Sequence, residues 1–252
     1  MTTTMITGAT SGIGAAFARR FAAMQHDLIL VARDQGRLER TAADLRDRFH
    51  IAVDTIQADL SVPADCRRVE ERLALDDSPV DILVNNAGFG LAKPFPHSPV
   101  DDEERMLDVL VRVPLRLTHA AVHGMLPRRR GSVLNVASVA GLLPTGTYGA
   151  AKAWLIAFSE SLRVDLAPHN IQVLALCPGF TRTEFQQRAG MDVSALPERA
   201  WLDAEAVVDQ ALRDLRRHRP VSITGLQYKA YAFTVRHVPR VLAARLARPR
   251  NV

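Results

Sequence analysis

Short apolar runs rich in β-branched residues alternate along this chain with stretches whose apolar positions recur at helical spacing. "MTTTMITG" leads into "IGAAFARRFAAMQ", "DLILVAR" into "QGRLERTAADLRDRF", "IAVDTIQADL" into "PADCRRVEERLAL", and "VDILVNNAG" into the segment around 101–126. Further on, "GSVLNVAS" leads into "TYGAAKAWLIAFSESLRVDLA" and "IQVLALCPG" into a more irregular stretch. Runs that are apolar on both faces need cover on both faces, so the strands must form a parallel sheet between layers of helix. Right-handed crossovers then give a doubly wound, Rossmann-like α/β domain with its ligand crevice at the carboxyl ends of the strands. The expected organisation is one domain over residues 1–227, with a substrate lid at about 184–202, followed by a basic, apolar arm over 228–252.

At 252 residues, 48% hydrophobic and 23% charged, the chain has the composition of a globular domain with a large core. No apolar run is long enough to span a bilayer, and the chain enters its first strand too soon for a secretory signal, so a cytoplasmic location is expected. Cys66 and Cys177 stand in unrelated contexts without metal-ligand spacing. The net charge of +5 resides in the arm, where Lys229, Arg236, Arg240, Arg245, Arg248 and Arg250 face no acidic residue. The cluster "PRRRG" at 127–131 lacks interleaved aromatics, so no nucleic-acid partner is expected.

"TGATSGIG", Thr7 to Gly14, follows the first strand and opens the first helix. Gly8, Gly12 and Gly14 allow a tight turn and close approach of the backbone to a pyrophosphate, which meets the positive end of the helix. The second strand ends "LVARDQGR", placing Ala32 and then Arg33 where a carboxylate would select NAD. A guanidinium suits a 2′-phosphate, so NADP(H) is expected, with NAD(H) the alternative.

In "ASVAGLLPTGTYGAAKAW", residues 137–154, Ser138, Tyr148 and Lys152 lie close together. Taken alone, each passes for an ordinary turn or helix residue. With "TGATSGIG", "NNAG" (Asn85 to Gly88), Ser138 after a strand, "YGAAK" and "PGFTRT" in order, however, the sequence strongly resembles the short-chain dehydrogenase/reductase family. The resemblance runs from residue 2 to about residue 215. It implies that Ser138, Tyr148 and Lys152 are catalytic, that Asn86 and Gly88 flank the cofactor, that Asp59 bonds the adenine and that Thr183 bonds the nicotinamide carboxamide. It further places Thr10, Ser11, Ile13, Leu60, Ala87, Pro178, Gly179 and Thr181, with Tyr148 and Lys152 themselves, along the cofactor. A homodimer or homotetramer through the helices around 101–125 and 148–167 is also implied.

The chemistry fits that assignment. Tyr148 and Lys152 are i and i+4 and share one helix face. A phenol of pKa about 10 gains roughly 3 kcal/mol, or about two pKa units, from a cation about 5 Å away at an effective dielectric of about 20. Tyr148 is then expected to pass a proton to or from a carbonyl oxygen held by Ser138 while hydride moves, with Lys152 also gripping ribose hydroxyls.

Two departures from the family stand out. Leu110 occupies the place of the usual relay Asn, and the loop from Ser138 to Tyr148 is short. The first invites a second reading, a catalytically weak cofactor sensor or scaffold. The second opens one side of the crevice. With apolar lid candidates Phe185, Met191, Val193, Leu196, Trp201 and Leu202, and a segment 240–248 able to form a basic amphipathic helix, the expected substrate is a ketone or secondary alcohol. A long-chain or β-ketoacyl type is favoured; the arm either packs on the domain or a partner subunit with its arginines solvated, the favoured reading, or makes peripheral contact with an anionic membrane surface.

Overall fold

The computed structural model describes residues 2–237, so segment 240–248 of the arm lies outside the described residues. Seven strands, β1 (Thr3–Thr7), β2 (Asp27–Ala32), β3 (Val53–Gln57), β4 (Ile82–Asn85), β5 (Gly131–Val136), β6 (Ile171–Cys177) and β7 (Val221–Ile223), form one sheet in the order β3-β2-β1-β4-β5-β6-β7. Every pairing is parallel. Thr7 lies opposite Val31, Asn85 opposite Asn135 and Val136 opposite Leu176. The strands therefore end nearly level, and the loops that follow them emerge along one edge. The chain order reverses between β1 and β4, the switch point beside which doubly wound sheets take their ligands.

Helices α1 (Gly12–Ala23), α2 (Gln35–Phe49), α3 (Pro63–Leu73), α4 (Val100–Leu107), α5 (Val113–Arg128), α6 (Gly146–Leu166), α7 (Phe185–Arg188), α8 (Ala204–Arg216) and α9 (Leu226–His237) complete the fold. Phe17 and Phe21 of α1, Leu38 of α2 and Val208 of α8 pack on Ile6, Leu30 and Leu174 from one side of the sheet. Val69 of α3, Leu117 of α5 and Leu166 of α6 pack with Met5, Ile29 and Val133 on the other. This two-sided burial is why the strand sequences carry no polar alternation.

The helix expected around 101–126 is interrupted. A π-type turn at Asp108–Arg112 separates α4 from α5, with the N–H of Val113 bonded to the carbonyl of Asp108. Pro114 explains it. Its ring has no N–H for the carbonyl of Leu110 four residues back and crowds that carbonyl, so the helix widens by one residue.

Candidate active site

The glycine loop is built into the sheet edge. Gly8 and Gly12 have φ of +67° and +54°, values that disfavour a side chain. Gly14 has no room for one, since a β-carbon there would lie 2.2 Å from the carbonyl oxygen of Gly8. Asn86 fastens the loop to β4, donating from Nδ2 to the carbonyls of Thr7 (2.9 Å) and Gly8 (3.1 Å). The Thr7 hydroxyl accepts from the N–H groups of Asn86 and Ala87, both at 3.0 Å. Ser11 caps no amide of α1 with its side chain, so the first-turn N–H groups remain directed at the crevice, as an anionic pyrophosphate requires. Ile13 anchors the turn in the core.

Around this loop the remaining cofactor candidates line the same edge. Arg33 is exposed at the end of β2, and Asp59 feels its charge. Although burial opposes ionisation, bonds from Ser61 with the charges of Arg33 and Arg105 hold the Asp59 carboxyl below its ordinary range. The Asp59 oxygen Oδ1 accepts from both the N–H and the hydroxyl of Ser61 at 3.0 and 2.7 Å, and Leu60 beside it is buried. Buried Pro178 and its neighbour Gly179 follow β6, and the Thr181 hydroxyl donates to the Gly179 carbonyl at 3.0 Å. Thr183 reaches back across the cleft, its Cγ2 lying 2.8 Å from where a β-carbon on Gly12 would stand. Thr10 contributes its carbonyl to Arg37.

Ser138, Tyr148 and Lys152 converge at the ends of β5 and β6. Ser138 caps a short 3-10 turn, its hydroxyl accepting from the N–H of Ala140 at 3.1 Å, and lies close enough to Tyr148 to favour its ionised form. Lys152 is buried, donates from Nζ to the carbonyl of Val136 at 2.7 Å, and lies 5.7 Å from the centre of the Tyr148 ring. Leu110 packs between α4 and α6 with Met106, Ala151 and Tyr148, and presses on Gly88, where a β-carbon would lie 2.8 Å from Leu110 Cδ2 and 3.8 Å from Lys152 Nζ.

The charge balance differs from the sequence expectation. Burial pushes the Tyr148 phenol up to about 12, and nearby Ser138 offsets this only in part. Burial also brings Lys152 down to about 8. The protein's own groups thus keep the tyrosine neutral, a proton donor, instead of lowering it toward tyrosinate. The reason is desolvation, the largest cause of the shift at both groups.

Sequence reasoning named Phe185 among many lid residues but missed its place. Its ring lies 5.8 Å from that of Tyr148, and Gly90 beneath it leaves 3.5 Å between Phe185 Cζ and a would-be β-carbon. Arg37, Glu184 and Tyr228 were also missed. Arg37 and Glu184 carry no pattern beyond an ordinary charged surface, and Tyr228 lies beyond the reach of the family motifs.

The profile of the short chain dehydrogenase family matches residues 2–193. The chain belongs to that family, as its motifs led us to expect. It is 38% identical to a short-chain dehydrogenase from Sphingobium yanoikuyae, solved in complex with NADPH, over 95% of this chain and 97% of that one, with a TM-score of 0.85. A bulky-bulky ketone specific alcohol dehydrogenase from Comamonas testosteroni is 34% identical over 99% of each chain, with a TM-score of 0.80. A very-long-chain 3-oxoacyl-CoA reductase of Pyrenophora tritici-repentis is 36% identical over 177 residues, 67% of this chain. The match spans about half, 52%, of that longer relative.

Proposed function

We propose that this chain is an NADPH-dependent carbonyl reductase, or in reverse an alcohol dehydrogenase, acting on a ketone that carries a bulky or long apolar arm. The carrying observation is the convergence of Ser138, Tyr148 and Lys152 on the strand edge that also holds the glycine loop. NADPH would supply hydride to the carbonyl carbon. Gly8, Gly12, Gly14 and the first turn of α1 would hold its pyrophosphate, Arg33 its 2′-phosphate, and Lys152 its ribose. Ser138 holds the carbonyl oxygen, and neutral Tyr148 gives it a proton. The NADPH-bound relative supports the cofactor, and the bulky-ketone and 3-oxoacyl relatives support the substrate class. Phe185 and Gly90 supply an apolar wall beside Tyr148. Exposed Leu115 on α5 and Val164 on α6 support a homodimer or homotetramer through these helices. Among the described residues no helix is long and apolar enough to cross a membrane, which fits the cytoplasmic location we propose.

The test is NADPH consumption with ketone and β-ketoacyl substrates graded by size, run beside Tyr148→Phe. Turnover that rises with chain length and vanishes in the variant supports the reading. NADPH binding without turnover on any ketone would overturn it in favour of a sensor or scaffold, with Leu110 as the cause.

A further inference from the structure

The segment 183–201 leaves the sheet edge and returns to it through a narrow neck. Leu202 donates its N–H to the carbonyl of Phe180 at 2.8 Å, and Arg182 donates to the carbonyl of Leu202 at 2.9 Å. Thr181 and Leu202 form an isolated parallel bridge. Phe180 and Trp201 meet edge to face at 6.0 Å. Two backbone groups at this neck have their bonds supplied from a distant part of the chain. The N–H of Phe180 donates to the Tyr228 hydroxyl at 3.0 Å, and that hydroxyl donates to the carbonyl of Ala200 at 2.7 Å. One phenol oxygen therefore joins the outgoing and returning stems.

The ring of Tyr228 reaches that point only because residue 179 is glycine. A β-carbon there would lie 2.1 Å from the Tyr228 ring. Tyr228 sits in α9, which also packs on the 3-10 turn Val139–Leu142 that follows Ser138. The helix thus touches both loops that border the reacting carbonyl.

We infer that Tyr228 is a positioning residue: its hydroxyl pins the two stems of the substrate lid together and so fixes Phe185 over Tyr148. The inference deepens the reductase reading, since it takes 184–202 as the lid over the substrate. Without the hydroxyl, the Phe180 N–H and the Ala200 carbonyl lose their shared partner and the neck opens more often.

The test uses the full chain and Tyr228→Phe, which keeps the ring on Gly179 and removes one oxygen. Trypsin has cleavage points within the lid at Arg188 and Arg199. Nicking there should rise by about fivefold or more, because cleavage follows the population of the open segment. With a ketone substrate, KM should rise about tenfold while kcat changes less than about threefold and NADPH affinity stays within about twofold. Tyr231→Phe, one turn along the same helix, should leave all of these unchanged. Unaltered lid nicking and KM in Tyr228→Phe would overturn the inference. So would a lowered melting temperature with cleavage spread over the whole chain, which would make the hydroxyl a general core bond. Nicking is read without substrate or cofactor. Failure of ketone turnover would therefore sink the reductase reading while leaving the pin standing.

Discussion

Arg37 grips Glu184 with two parallel bonds, Nη1 to Oε2 at 2.9 Å and Nη2 to Oε1 at 2.7 Å, and gives a third to the carbonyl of Thr10 at 3.2 Å. Asp34 caps α2 by accepting from the Arg37 N–H, which sets the start of the helix that carries this side chain. Together with Thr183 against Gly12, the pair ties the start of α2 and the glycine loop to the segment that follows β6. The bond to Arg37 holds the Glu184 carboxyl below its ordinary range.

If the glycine loop holds the pyrophosphate as proposed, this tie would have to open for the cofactor to leave. Glu184→Gln is expected to speed NADPH dissociation about fivefold, corresponding to about 1 kcal/mol for a two-point but solvent-exposed pair. The melting temperature should barely move, since exposed pairs add little to stability. Stopped-flow release at low and high salt checks this. The difference between the two proteins should vanish at about 1 M salt, where screening falls to about 3 Å.

Phe185 packs beside the Tyr148 ring and against Gly90, so its removal would widen the space on the Gly90 side. Phe185→Ala is expected to improve kcat/KM for ketones with two bulky arms and to lower it for small ones, which lose apolar contact. An effect of about 1–3 kcal/mol, or about tenfold or more in the ratio of the two, is the expected scale. A size series that shifts in parallel for both proteins would place the specificity elsewhere in the lid.

The features legible in the sequence are those governed by local rules. Short runs apolar on both faces, alternating with period-3.6 patterning, located the sheet and its covering helices, and the glycines of "TGATSGIG" announced a backbone forced close to its neighbours. What stayed hidden depends on contacts across long sequence separations. Nothing near Arg37 in the chain points to Glu184, and Gly179 reads as a turn glycine until the Tyr228 ring is seen against it. The π-type turn was within reach, because Pro114 inside an otherwise helical pattern signals a broken hydrogen bond four residues back. The direction of the Tyr148 shift was missed because desolvation cannot be read from spacing along a helix.

Leu110 fills the space beside Gly88, next to Lys152, with a side chain that can neither donate nor accept a hydrogen bond. Proton supply to Lys152 is expected to be slow and to contribute a sizeable solvent isotope effect on kcat. Leu110→Asn should raise kcat and shrink the isotope effect. Because Leu110 is fully buried, the same change should cost about 2–4 kcal/mol of stability. Rate and isotope effect both unchanged in the variant would remove Leu110 from proton delivery.

Lys152 gives the sharpest link between stability and chemistry. Its pKa is about 8 in the folded chain and near 10.5 when exposed, so the unfolded chain binds more protons between those values. Stability should therefore rise with pH across about 8 to 10.5, and the full cost of burying the charged amine is present below pH 8. A shift of this size corresponds to about 3 kcal/mol, part of which the bond to the Val136 carbonyl offsets. Lys152→Met is thus expected to be more stable than the parent chain at pH 7 by about 1–2 kcal/mol, with the gap closing toward pH 10. Ketone reduction should show the opposite preference. Reductive kcat/KM should fall as pH rises through about 8, where Lys152 loses its charge, and be small at every pH in the variant. Melting curves and rate profiles over pH 6 to 10 test both halves. A variant that melts below the parent at pH 7 would show that the amine stabilises the fold and would refute the burial argument.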